Sequence, residues 1–252
     1  MKSLNRVRMP GALALLLICA LMTPAQWEKK PYTEWSEKEA QKLLEDSPWA
    51  KTQTFTATTE TTGTARPNAG QSSFANPIRI NFRIRFFSAK PVRQATSRTL
   101  ELKQKGNLDE EYATRLKNLV NSSFNDYILI TVTCDSEQRG VPLQEAAMLL
   151  QGHTTAKLQS NTYLEVKGQK IYLKEYQAPR GDGFGARLIF PRLVNGEPFI
   201  TPQTEEIHFY SELSTGVAAR PGPVGSSSSS PLYTLNQRFK VSTMNFQGKL
   251  EY

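Results

Sequence analysis

The sequence predicts an α+β fold, with short helices mainly in the N-terminal half and a largely antiparallel, sandwich-like β-sheet in the C-terminal half. Three observations carry this. Ile78-Arg79-Ile80-Asn81-Phe82-Arg83-Ile84-Arg85-Phe86 alternates apolar and polar residues, as a half-buried strand requires. Up to residue 152, capping and proline signals mark helix starts. Beyond residue 154, apolar runs are separated by tight-turn signals such as Asn195-Gly196.

The chain opens with a different kind of segment. Lys2, Arg6 and Arg8 precede an apolar run from Ala12 to Met22, and Thr23-Pro24-Ala25 supplies a small residue for cleavage. Positive start, short apolar core and small-residue exit predict a signal peptide over residues 1–25. The run is too short to cross a bilayer, which takes about 20 apolar residues. An exported protein is therefore expected, periplasmic or extracellular after cleavage near Ala25, with no transmembrane helix in the mature chain.

Residues 26–50 read as an N-terminal helical extension. Ser36-Glu37-Lys38-Glu39 is a capping box, Ala40, Leu43 and Leu44 share a helical face, and Pro48 ends the helix. Trp27, Trp35 and Trp49 surround it. Two readings follow: the indoles pin a short helix to the body, or they are anchors of a partner-docking helix. On the second reading, loss of residues 27–50 abolishes partner capture and leaves the β core folded.

Residues 51–252 read as a single α+β domain. A threonine-rich strand over 51–62 leads into a flexible loop near 63–77 and then the alternating strand. Pro91 opens a helix with Val92, Ala95, Thr99 and Leu102 on one side. A second, capped by Asn107, runs from Leu108 to about Val120 with Tyr112, Leu116, Leu119 and Val120 on its face. A strand over 127–134 follows. Pro142 starts a third helix, with Leu143, Ala146, Ala147 and Leu150 inward and Gly152 as its stop. Residues 163–166 and 171–173 flank a turn at Lys167–Lys170. Leu188–Phe190 and Pro198–Ile200 flank Asn195-Gly196. Strands also fit 205–212, 237–244 and 246–252, and the Gly/Pro/Ser-rich stretch 215–231 reads as a second flexible loop.

Composition narrows the function. The whole chain carries a formal charge of +8, but removal of the signal leaves 28 basic and 23 acidic residues, or +5. So mild an excess, with no zinc-finger spacing or RNP-type motif, predicts no nucleic-acid partner. The mature part holds one cysteine, Cys134, in an apolar run. No internal disulfide is available, and the thiol reads as a small buried hydrophobe.

No catalytic residue, metal site or cofactor is assigned. The G-x-S-x-G, H-E-x-x-H and phosphate-loop patterns are absent. Glu206, His208 and Tyr210 share one strand face, but a single His and Glu make a poor metal site without a third ligand. Arg180-Gly181-Asp182 reads as part of a mobile turn. Arg79, Arg83 and Arg85 project from the polar side of the alternating strand. They could grip an acidic partner, a phosphate or a glycan, or form a solvated face that protects an edge. The candidate binding residues are thus Trp27, Trp35, Trp49, Arg79, Arg83 and Arg85. The expected partner is an envelope protein or an acidic or glycan surface.

Two other functions compete. Glu165, Glu175, Glu205, Glu206 and Glu212 lie on or near predicted strands, and two carboxylates suffice for a glycan hydrolase. Met244, Phe246, Gly248, Leu250 and Tyr252 alternate toward an aromatic end, as in the last strand of outer-membrane β proteins.

Finally, Trp27-Glu28-Lys29-Lys30-Pro31-Tyr32-Thr33-Glu34-Trp35-Ser36-Glu37-Lys38-Glu39, with Asp46-Ser47-Pro48-Trp49-Ala50, resembles the start of a group of uncharacterised exported bacterial proteins. Phe86-Phe87-Ser88-Ala89-Lys90-Pro91 and Gln247-Gly248-Lys249-Leu250-Glu251-Tyr252 are similar to the same group. The resemblance implies a bacterial envelope or secreted setting and brings no activity. The leading expectation is a non-enzymatic exported binding or structural protein.

Overall fold

A computed structural model describes residues 29–57, 77–104, 108–138, 140–214 and 232–252. The predicted signal, Trp27, Asn107, residues 63–76 and residues 215–231 lie outside the described residues.

The capping box forms as expected. Ser36 and Glu39 exchange hydrogen bonds at the start of α1 (Glu37–Glu45), and Ala40 and Leu43 turn inward. The chain then enters β1 (Ala50–Ala57) and, after the undescribed stretch, the alternating strand β2 (Ile78–Phe86). Proline near its first turn starts α2 (Lys90–Lys103), which buries Val92 and Ala95 in its first half and leaves Thr99 and Leu102 half-buried. The next helix, α3 (Glu110–Asn121), is capped by Asp109, whose carboxylate accepts from the Tyr112 amide at 2.6 Å. Leu116 and Val120 are its buried residues.

Strand β3 (Tyr127–Asp135) precedes α4 (Val141–Gly152), where Leu149 rather than Ala147 joins Ala146 and Leu150 in the core. A one-turn helix α5 (Thr155–Leu158), which periodicity did not predict, drops Leu158 into the core. The remainder is β: β4 (Thr162–Val166), β5 (Gln169–Tyr172), β6 (Glu175–Gln177), β7 (Ala186–Pro191), β8 (Leu193–Val194), β9 (Glu197–Pro198), β10 (Glu206–Ser214), β11 (Leu232–Lys240), β12 (Asn245–Phe246) and β13 (Lys249–Leu250).

These strands form two larger sheets. One has the order β1-β2-β3-β7-β6, the other β11-β10-β4-β5, and every pairing is antiparallel. Rings from the two sheets meet in the core. Phe82 lies 5.0 Å from Tyr233 between centroids, Phe86 lies 4.9 Å from Phe239, and Phe190 lies 6.5 Å from Phe209. Aromatic residues bury large areas and pack edge-to-face, which suits a core without disulfides. Gln53 of β1 ties the sheets together at one side. Its amide oxygen accepts from the Asn236 amide at 2.8 Å, and its Nε2 donates to the Thr234 carbonyl at 2.8 Å.

Two turn signals work out differently from expectation. Asn195-Gly196 does make a tight turn, with φ of 53° and 85°, but it joins the two-residue strands β8 and β9. Leu188–Phe190 pair instead with β3 and, through Leu188 and Ile189, with β6. The predicted closing strand over 246–252 is interrupted, because Gln247 and Gly248 take positive φ and fold it into the β12–β13 hairpin. Alternation there reflects two short arms, not one extended strand. No helix among the described residues is long and apolar enough to cross a membrane.

Candidate functional site

Trp35 and Trp49 are core residues, exposed by only 1% and 0%. Trp35 packs edge-on to Tyr32, and its carbonyl accepts from Arg98 Nε of α2 at 2.7 Å. Trp49 packs edge-on to Phe246, and its indole donates to the Glu251 carbonyl at 2.8 Å. This corrects the reading of both as exposed anchors, since an indole buried on all sides offers a partner no surface. The segment through residue 50 is likewise not a detachable extension. Ala40, Leu43, Trp49 and Ala50 are all buried.

The arginine row is divided. Arg79 is exposed at the start of β2. Arg83 and Arg85 lie where α1 crosses the sheet. Arg83 bonds Glu45 of α1 at 3.0 Å through Nη2 and reaches Asp135 of β3 through Nη1. Arg85 donates from Nε to the Leu44 carbonyl at 2.7 Å and from Nη1 to Thr133 at 3.1 Å. Leu44 is in the last turn of α1, where carbonyls lack helical partners and the helix dipole favours a cation. The row is therefore neither a solvated face nor an edge guard: β2 lies between β1 and β3. Alternation identified the polar face but could not show that a helix covers it.

Beside these contacts a cleft of about 360 Å³ opens between α1, α2 and the sheet. Arg83 and Arg85 form part of its floor, with Thr131 and Asp135 of β3. Thr96, Thr99, Leu100 and Lys103 of α2 make one wall, and Gln41, Leu44 and Glu45 of α1 another. Gly183 and Phe184, from the loop between β6 and β7, close a third side. Phe184 is held edge-on to Phe87 with centroids 5.3 Å apart. Asp182 anchors the same loop by accepting from the Phe184 amide at 3.1 Å and pairing with Arg187 at 2.5 Å. The Asp182 carboxylate of Arg180-Gly181-Asp182 is thus engaged within its own loop.

The cleft is electrically mixed. Glu37, Glu45 and Asp135 oppose Arg83, Arg85 and Lys103. Arg83 carries Glu45 and Asp135, whereas Arg85 and Lys103 make no ion pair among the described residues. Burial, and then repulsion from Arg83, push the Arg85 guanidinium down to about 10, with Glu45 acting in the opposite direction. It stays charged near neutral pH. Thr96 and Thr99 spend their hydroxyl protons on the Val92 and Ala95 carbonyls, so they face a ligand as acceptors.

None of Glu165, Glu175, Glu205, Glu206 and Glu212 lines this cleft. His208 sits on the far sheet, bonded to Asn236 at 2.8 Å, with Glu165 3.9 Å away. Among the described residues, no group of three or more His, Cys, Asp or Glu side chains is placed to hold a metal. No protein-family model, curated protein sequence or solved structure matches the chain.

Proposed function

We propose that the protein is exported to the bacterial envelope or beyond and acts there as a non-enzymatic binding protein. In this reading the cleft holds a small ligand bearing a carboxylate or phosphate together with hydroxyl or amine donors. The observation that carries it is Arg85, a largely buried cation without a carboxylate partner, on the floor of a cleft whose hydroxyls offer acceptors. A ligand anion would supply the charge-assisted bond that a desolvated guanidinium favours. Lys103 at the end of α2 would add a second cation, and Leu44, Phe87, Leu100 and Phe184 an apolar wall. The N-terminal signal pattern and the resemblance to exported bacterial proteins support the compartment.

Thermal unfolding of the exported chain against a panel of phosphorylated sugars, sugar acids and amino acids tests the reading. A binder raises the midpoint in proportion to the logarithm of its concentration. Lys103→Ala, at an exposed position, should fold normally and weaken that response. A flat response across the panel, or an identical response from Lys103→Ala, would remove the proposal. The mass of the exported chain should also correspond to residues 26–252.

A further inference from the structure

The outer face of the β11-β10-β4-β5 sheet has a composition of its own. Tyr172, Tyr163 and Tyr210 stand directly opposite one another on β5, β4 and β10. Tyr163 and Tyr210 are stacked, with centroids 5.0 Å apart and planes 18° apart, and Tyr172 meets Tyr163 at 5.9 Å. The ring-to-ring step is close to the width of one pyranose ring. In the next row His208 faces Glu165 on one side and Arg238 on the other. The ring and hydrogen-bond partners described for the three tyrosines and His208 all belong to these four strands. Tyr172 is 48% exposed, and Asn236 is also exposed.

We infer that this face binds a neutral, β-linked polysaccharide, the tyrosine row running beneath successive sugar rings. Three features select that ligand over another macromolecule. First, the outward positions of β4, β10 and β11 that flank the row carry no aliphatic side chain. A protein partner or an acyl chain requires an apolar centre, and this face has none. Second, its charges cancel: Glu165, Glu206 and Glu212 oppose Lys170, Arg238 and Lys240. A balanced surface gives no long-range attraction to a polyanion such as nucleic acid or an acidic glycan. Third, rings with planar amide, carboxylate and imidazole neighbours match a sugar, whose C–H faces are apolar and whose rim is a ring of hydroxyls. Lys170 lies over Tyr163 with Nζ 4.0 Å from the centroid; it is exposed and moves aside at little cost.

This site is separate from the arginine cleft and does not depend on it. Isothermal titration of the exported chain with the hexasaccharides of β-1,4-linked glucose and of β-1,4-linked N-acetylglucosamine tests it, with oligogalacturonate as the anionic counterpart. At least one neutral hexasaccharide should bind. Tyr172→Ala should weaken it at least ten-fold, and Tyr172→Phe should retain most of the affinity. Tyr163→Ala should abolish binding, with circular dichroism as the check on folding. Should Tyr163→Ala fail to fold, the exposed Tyr172→Ala decides. No heat with either neutral ligand, unchanged affinity in Tyr172→Ala, or tighter binding of oligogalacturonate would each overturn the inference.

Discussion

Trp49 donates its indole hydrogen to the carbonyl oxygen of Glu251, joining two residues 202 positions apart in the chain. The same Glu251 accepts the Lys90 amide on its carboxylate at 2.9 Å, at the start of α2. One short stretch at the end of the sequence thus organises two elements from its first half.

Trp49→Phe should therefore cost about 1 kcal/mol, the net value of one hydrogen bond, with the Glu251 carbonyl left without its indole donor. Trp49→Ala should cost about 4 kcal/mol through cavity formation. Urea denaturation of the two variants separates these effects. Removal of residues 27–50 should unfold the domain rather than release an intact β core.

Arg83 bridges Glu45 and Asp135, so Arg83→Met leaves two carboxylates without their shared cation. We expect a loss of about 2 kcal/mol, below the range for fully buried pairs because the side chains keep some solvent contact. The change should concentrate in α1, and hydrogen exchange of the Leu43 and Leu44 amides reports it.

Glu39 sets an acid limit on the same helix. Hydrogen bonds from Lys30, then from the Ser36 amide and hydroxyl, lower its carboxyl from 4.5 to about 2. A lowered carboxyl stabilises the fold fully above the unfolded-state value and loses that contribution as pH falls toward 2. Carbon-13 titration of the carboxyl should place its midpoint near 2, and Glu39→Gln should flatten the stability profile between pH 4.5 and 2.

Cys134 should be inert. Burial pushes its thiol up to about 11, so roughly a thousandth is thiolate at pH 8. Iodoacetamide should label the native protein about 100-fold more slowly than the unfolded chain. Comparable rates would show that the thiol is accessible and activated.

Gly185 should resist substitution. Its φ is +80°, and an added Cβ would lie 2.3 Å from the Val132 carbonyl oxygen. Gly185→Ala should cost about 3 kcal/mol. It should also displace the loop bearing Phe184, which a fluorine label on that ring would detect.

How much of this was legible in the sequence depends on the range of the interaction. Ser36 and Glu39 are three residues apart, and their capping box was readable; so were β2, from its alternation, and the turn at Asn195-Gly196. The mixed fold class follows from such local signals. The destination of each polar or aromatic face did not. Arg83 and Arg85 occupy the face that alternation assigns them, yet their partners lie on α1 and β3. Trp35 and Trp49 look like surface anchors until α2 and the β12–β13 hairpin close over them. The cleft joins residues from 37 to 184, and the tyrosine row needs the register of three strands. Tyr163 and Tyr210 carry no mark in the sequence that they are neighbours.

Gln53 leaves one more mark on the behaviour of the molecule. Strand β11 is a terminal member of its sheet, and such strands can serve as templates on which further chains polymerise. At its centre the outward-facing amide of Asn236 and carbonyl of Thr234 are already occupied by one glutamine side chain. An incoming backbone would have to displace that amide before its first rung could form. A single residue thereby discourages assembly into fibrils at the position where this sheet would otherwise be easiest to extend.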